Sequence, residues 1–142
     1  MTTTGFTNLS EFLKGVKDGV KRMENALDAG LYAVGNNILA KSNETAPIDT
    51  GVMRGSAYAT LPKDHEVEIG YGGPAAKYVI VQHEDTRLRH KPGEAAKFLQ
   101  NALNIASATY VQDVQAVAAA AFQAGGNTLP TGEFPTRPGM KK

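Results

Sequence analysis

The chain has 142 residues, with 15 Lys and Arg against 14 Asp and Glu, and a formal net charge of +1. This length fits a single domain, and the near-balanced charge gives no general attraction to nucleic acid or to an anionic membrane. Cysteine is absent, which excludes disulfides and thiolate metal sites and fits a reducing cytoplasm. No apolar run reaches the ~20 residues of a membrane span, and we expect no signal peptide and a soluble protein made inside the cell.

The first predicted element, after a flexible N-terminus of residues 1–8, is a long amphipathic helix from residue 9 to about residue 43. It would be about 50 Å long, which is more than a small domain needs. Gly30 and Gly35 predict either a bend or a close approach of another backbone, and Pro47 should end the helix. Apolar residues recur at steps of three and four along it: Leu9, Phe12, Leu13, Val16, Val20, Met23, Leu27, Leu31, Val34 and Ile38.

Three strands are predicted next, over residues 56–61, 66–71 and 78–83, with turns at residues 62–65 and 72–74 between them. A short turn precedes them, in which Asp49 or Thr50 would cap residues that include Met53 and Arg54. A sheet this small has open edges, and such edges favour pairing with a neighbouring subunit.

A second long helix is predicted to begin at Pro92-Gly93-Glu94 and to end at Gly125-Gly126-Asn127. The prolines and glycines beyond it predict an extended or disordered C-terminal arm over residues 125–142. The predicted fold class is therefore α+β: one domain over residues 9–124, with a long N-terminal helix, a three-stranded antiparallel sheet and a second long helix on one face.

The segment from His83 to Lys91 carries most of the charged chemistry. A small metal-dependent hydrolase centred on His83 and His90 is one alternative, but His83 and Glu84 would face opposite sides of a strand and the arginines would oppose a cation. A nucleic-acid-binding accessory protein is another, opposed by the flanking acids. A solvated surface in which Glu84 and Asp85 pair with nearby cations is a third. We favour a loop that contacts protein, formed by Glu84, Asp85, Arg87, Arg89 and His90.

Asp49-Thr50-Gly51 is also the tripeptide of aspartic proteases, which need two carboxylates that share a proton. A single copy is present, and it follows a helix end instead of a strongly apolar strand. Turn and cap chemistry therefore accounts for it better. We expect no catalytic residue, no bound cofactor and no metal.

Two stretches together resemble a family of long-tailed bacteriophage proteins, the small neck or tail-completion proteins that are often labelled minor capsid or head-tail joining proteins. The first stretch, residues 46–56, contains the Pro-x-Asp-Thr-Gly-x-x-Arg turn. The second, residues 71–103, contains a glycine turn, a Tyr-rich strand with a terminal His-Glu, a basic loop that ends in His, and a Lys-Phe-Leu helix start. The resemblance covers roughly residues 9–124.

This resemblance implies a non-enzymatic virion structural protein that completes or joins the tail at the neck as part of an oligomeric ring, made in the host cytoplasm during assembly. The implied partners are other copies of the chain and a connector or stopper, tail terminator or tail tube protein, with no membrane and no specific nucleic acid. In this hypothesis two residue sets have structural roles. The junction from helix to sheet contains Asp49, Thr50, Gly51 and Arg54, and the core beneath the loop contains Tyr78, Val79, Phe98, Leu99 and Leu103.

Overall fold

The computed structural model describes residues 8–46, 52–73, 76–90, 92–125 and 129–138, apart from the side chains of Val52 and Tyr78. It confirms an α+β protein with a long N-terminal helix and a small antiparallel sheet. The elements, in chain order, are α1 (Leu9–Thr45), α2 (Val52–Gly55), β1 (Ala57–Ala59), β2 (Ile69–Tyr71), α3 (Ala76–Glu84), α4 (Phe98–Ala106) and α5 (Tyr110–Gln123).

Helix α1 matches the predicted first helix closely. Its 37 residues correspond to about 55 Å, and the Asn8 side chain caps it by accepting a 2.9 Å hydrogen bond from the backbone N–H of Glu11. The predicted close approach is found at Gly30, where an added Cβ would lie 2.6 Å from the carbonyl oxygen of Val114 in α5. In the described part of the chain, no helix combines the length and the apolar character needed to cross a bilayer.

The predicted second long helix is two helices, and the first starts at Phe98 instead of Pro92. The break lies at residues 107–109, where the Ser107 hydroxyl donates to the carbonyl of Asn104 (2.6 Å) and the Thr109 hydroxyl donates to Asp113 (3.0 Å). Serine and threonine side chains compete in this way with the backbone hydrogen bonds of a helix. The break lets α4 and α5 pack separately along α1.

Helix α5 runs antiparallel to α1, as two contacts show. Val114 lies beside Gly30, and Phe122 lies beside Arg22. The Arg22 guanidinium donates to the carbonyls of Phe122 (2.5 Å) and Gln123 (3.3 Å), which satisfies acceptors that a helix C-terminus leaves unpaired.

Within the described residues the sheet has two strands, where three were predicted. Strands β1 and β2 are antiparallel, with Ala57 opposite Tyr71 and Ala59 opposite Ile69. The predicted turn at residues 62–65 is present: Lys63 and Glu66 exchange backbone hydrogen bonds of 3.0 and 2.9 Å. Asp64 and His65, between them, have φ of 50° and 61°, the backbone sign that a tight two-residue hairpin turn requires.

The predicted third strand is helix α3, so this prediction was wrong. A short apolar run such as Tyr-Val-Ile-Val does not distinguish a strand from a helix by periodicity. In the helix, Val79 is buried with Met53 and Phe98, whereas Ile80 and Val81 are 62% and 51% exposed. Among the described side chains of this run, the buried Val79 and the exposed Ile80 and Val81 suit a helix that contacts the core along a narrow face, not a central strand.

The C-terminal arm packs on the domain. Residues 129–138 contain neither helix nor strand, and the carbonyl of Pro135 accepts a 2.9 Å hydrogen bond from the N–H of Ala59 in β1. Phe134 packs against the core beside Tyr32, and Gly132 lies so close to the Tyr32 hydroxyl that a Cβ would not fit. The C-terminal segment therefore occupies the free edge of β1 at Ala59.

Three adjoining clusters of buried residues form the core between α1, the sheet, α3 and α4. Of the predicted core beneath the loop, Val79 and Phe98 are buried and Leu99 packs against two of the clusters, while the Tyr78 side chain lies outside the described residues. Leu103 is 49% exposed, which corrects its predicted core position. The buried face of α4 carries Phe98 and Ala102, four residues apart, and Leu103 lies to one side of that face.

The hairpin turn is tied to α1 by an ion pair between His65 Nδ1 and Asp28 Oδ1 at 2.9 Å. The hydrogen bond to Asp28 raises the pKa of His65 above its ordinary 6.5. A raised pKa means that the pair stabilises the fold below pH ~6.5 and loses this contribution as pH rises through the folded-state pKa. In an NMR titration of the imidazole we expect a midpoint above 6.5. We expect Asp28→Asn to return it toward 6.5, and an unchanged midpoint in that variant would contradict the pairing.

Candidate protein-contact loop

The charged loop, residues 84–90, leaves the C-terminal end of α3 and returns through residues 92–97 to the start of α4. Two backbone hydrogen bonds anchor the return: the Ala95 N–H donates to the carbonyl of Thr45 (2.9 Å), and the Lys97 N–H donates to the carbonyl of His83 (2.7 Å). The loop is therefore held at both ends against α1 and α3.

Asp85 and Arg87 form a closed pair within the loop. Asp85 Oδ1 accepts from the backbone N–H and from Nε of Arg87, both at 3.0 Å, and Oδ2 accepts from Nη2 at 3.2 Å. The Arg87 side chain hydrogen bond is the main reason that the pKa of Asp85 is lowered. With its side chain 88% exposed, Arg87 presents an oriented guanidinium to the solvent.

His83, Glu84 and Lys97 form a second group at the base of the loop. Glu84 receives the Lys97 ammonium and His83 Nδ1 at 2.6 Å; these bonds, that from Lys97 first, lower the pKa of Glu84. His83 Nε2 accepts from the N–H of Gln100 at 3.4 Å, so this network assigns the proton to Nδ1. The expectation that His83 and Glu84 lie on opposite faces was wrong, because they are on a helix.

The His83 ring also meets the edge of Phe98, with centroids 4.8 Å apart. Both ring nitrogens of His83 are thus hydrogen-bonded, and the ring lies against the start of α4. Arg89 is exposed and His90 is half-buried, and the Nε2 atom of His90 is buried with no hydrogen-bond partner among the residues described. Within those same residues, no three His, Asp or Glu side chains converge as a metal site requires.

Arg54 joins the end of α1 to the start of the sheet. Its Nε donates to the carbonyl of Ala46 at 2.7 Å, and its own carbonyl accepts from Asn43 Nδ2 at 3.4 Å. This is the junction that the sequence assigned to it. The other members of the predicted junction, Asp49, Thr50 and Gly51, lie outside the described residues.

A part-buried polar network between α1 and β2 was missed by sequence reasoning. Ser42 and Tyr71 lie 2.8 Å apart through their hydroxyls, and the Tyr71 hydroxyl donates to Asn43 Oδ1 at 2.7 Å. Burial raises the pKa of Tyr71 to about 12, and burial together with Glu68 raises that of Tyr58 to about 12. Both phenols stay neutral at physiological pH. No local signal could have found the network, because its partners are 28 and 29 positions apart.

An exposed apolar surface is the second feature that sequence reasoning missed. A groove of about 700 Å³ lies between α1 and α5, with Val20, Met23, Ala26, Leu27, Ala118, Ala119 and Phe122 among its lining residues. The predicted apolar stripe of α1 is buried only in the second half of the helix. Its first half is exposed by 41–70% at Leu9, Phe12, Leu13, Val16, Val20, Met23 and Leu27.

Together these features define an α+β protein with an internally paired charged loop and a large exposed apolar face. No family model, curated protein or solved structure matches the chain.

Proposed function

We propose that the chain is a non-enzymatic virion structural protein that completes or joins a long phage tail at the head-tail neck, as one subunit of a ring. Its partners in this proposal are other copies of itself and a connector or stopper, tail terminator or tail tube protein. The assembly is proposed to be the phage neck because residues 46–56 and 71–103 resemble the neck family.

The observation that carries the proposal is the amount of large apolar surface on a single copy. Soluble monomers rarely expose contiguous apolar patches beyond a few hundred Å², yet the first half of α1 and the groove beside it are exposed together. A protein that works within an assembly needs such a surface. The charged loop adds a mixed-sign surface, which sets the register of a contact more than its strength.

The charged loop is tested by Arg87→Glu/Arg89→Glu. We expect the monomer to remain folded, because Arg87 is 88% exposed and Arg89 is exposed. We expect the yield of joined, infectious particles to fall by at least about tenfold, since like charges placed across a contact are strongly unfavourable. Plaque counts and electron microscopy of particles from the phage that encodes the chain would measure this.

The matched control for this test is Lys63→Glu/Lys77→Glu, which makes the same charge change at two exposed positions away from the loop. It should leave particle yield unchanged. Normal yields of joined particles from the loop variant would refute the role of the loop, and heads and tails that join without the gene would refute the proposed function.

A further inference from the structure

The first half of α1 carries an apolar stripe whose spacing is that of a paired helix. Leu9, Leu13, Val16, Val20, Met23 and Leu27, here called the α1 stripe, follow one another at steps of 4, 3, 4, 3 and 4. Alternating steps of three and four are the a and d positions of a heptad repeat, by which two helices pack side by side. We propose that two copies of this chain pair through their α1 stripes as an antiparallel, two-fold symmetric dimer.

The exposed surface is large enough for a stable dimer. The six side chains of the α1 stripe are 70%, 48%, 48%, 50%, 63% and 41% exposed. At these exposures they present on the order of 600 Å² of apolar surface per copy, and the stems of flanking residues would bring this near the ~800 Å² per partner of a standard interface.

Farther along α1, the residue that continues this heptad spacing is already packed within the chain. Val34 continues the heptad seven residues after Leu27, and it is 7% exposed because it packs with Ala102 and is flanked by Val114. Helix α5 ends at Gln123 beside Arg22, so among the described residues it borders only the later part of the stripe, from Val20 to Leu27. A second copy would provide packing partners for the first half of α1, as α4 and α5 do for the second half.

The arrangement of the stripe selects an antiparallel pairing. Its later residues, Val20, Met23 and Leu27, line the groove against α5, whereas Leu9 and Leu13 lie ahead of the end of α5. A two-fold axis near residue 18 would place Leu9 beside the partner's Leu27 and fill both grooves. Parallel pairing would leave the grooves empty.

The α1 stripe itself adds no charge to the contact. The α1 stripe contains no charged side chain, and a net charge of +1 per chain gives little repulsion between copies. A two-fold contact of this kind uses the same surface on both subunits and closes on itself. It differs from the head-to-tail contact that closes a ring, although it uses the apolar face that also supports the proposed function.

Sedimentation of the full chain tests the dimer. We expect the wild-type protein to be dimeric at micromolar concentration and Val16→Glu to raise the dimer dissociation constant by more than about 100-fold, because each dimer would bury two unpaired carboxylates. Val16 is 48% exposed, so the far-UV circular dichroism of the variant should match that of the wild type. The matched control is Ile80→Glu, at an apolar position of α3 that is 62% exposed; it should remain dimeric. A monomeric wild type would overturn the proposal, and so would a Val16→Glu variant that associates as tightly as the wild type.

Cysteine cross-linking tests the direction, because the chain has no cysteine of its own. A disulfide requires Cα atoms roughly 4.4–6.8 Å apart. Oxidation of mixed Leu9→Cys and Leu27→Cys proteins should therefore give a covalent dimer, whereas neither variant alone should. Rapid self-cross-linking of Leu9→Cys would indicate parallel pairing, and no cross-link in the mixture would refute the register; both outcomes would leave the neck hypothesis standing.

Discussion

Replacement of Phe98 with alanine is expected to lower the free energy of unfolding by about 3–5 kcal/mol, the range for truncating a buried aromatic residue. Phe98 is fully buried and contacts three parts of the fold. It packs with Ala46 at the end of α1 and with Val79 in α3, and its ring meets Tyr71 of β2 edge-on with centroids 5.3 Å apart. The cavity left by alanine would open at the point where these elements meet.

Urea unfolding monitored by circular dichroism would measure this loss, with Leu103→Ala as the matched control. Leu103 is on the same helix but 49% exposed, so its truncation should cost less than about 1 kcal/mol. Equal losses at the two positions would contradict the packing of α4. If Phe98→Ala were as stable as the wild type, the burial of Phe98 in the core would be contradicted.

Replacement of Gly30 with alanine is expected to destabilise the protein by about 1–3 kcal/mol, even though alanine is the better helix former. Overpacking of a tight contact has a cost of this size, and the new Cβ would lie 2.6 Å from the carbonyl oxygen of Val114. Because that neighbour is backbone, it cannot turn away as a flexible side chain would. Helices α1 and α5 would have to move apart.

Gly19 provides the control on the same helix, because a Cβ there would meet nothing within 4 Å. Gly19→Ala should stabilise the protein by up to about 1 kcal/mol through helix propensity alone. Thermal unfolding of the two variants should therefore shift in opposite directions. A stabilised Gly30→Ala variant would show that α1 and α5 are not in close contact.

Sequence patterns predicted the features that depend on neighbouring residues. The extent of α1, the hairpin turn at residues 62–65 and the end of α5 near Gly125, whose φ is 105°, follow from local periodicity, capping and turn chemistry. The close approach at Gly30 was also predicted, since a glycine inside a helix needs a reason to be there.

The errors arose where contacts between distant residues decide the outcome. Residues 78–83 favour a strand by composition, but the contact of Val79 with Phe98 and Met53 is made by a helix. Nothing in the local pattern indicates that Ala59 bonds to Pro135 and thereby fixes the C-terminal arm. The break between α4 and α5 depends on the hydrogen bonds that the Ser107 and Thr109 hydroxyls form. Hydrophobic periodicity does not reveal these bonds.

The charged loop was predicted in part. The pairing of Asp85 with Arg87 and of Glu84 with Lys97 was among the alternatives, because these charges are close in sequence or at a helix start. Two other features could be seen only in the folded structure: both His83 nitrogens are hydrogen-bonded, and His90 is half-buried. The exposure of the first half of α1 could not be read from its pattern, since periodicity shows that a face is apolar but not whether anything covers it.

The bond between Ala59 and Pro135 has one more consequence. The N–H of Ala59 is already bonded to Pro135. Another chain therefore cannot add a strand to β1 at Ala59 unless the C-terminal segment first dissociates. While Pro135 holds the Ala59 N–H, a contact at this position would have to use side chains instead of a backbone ladder.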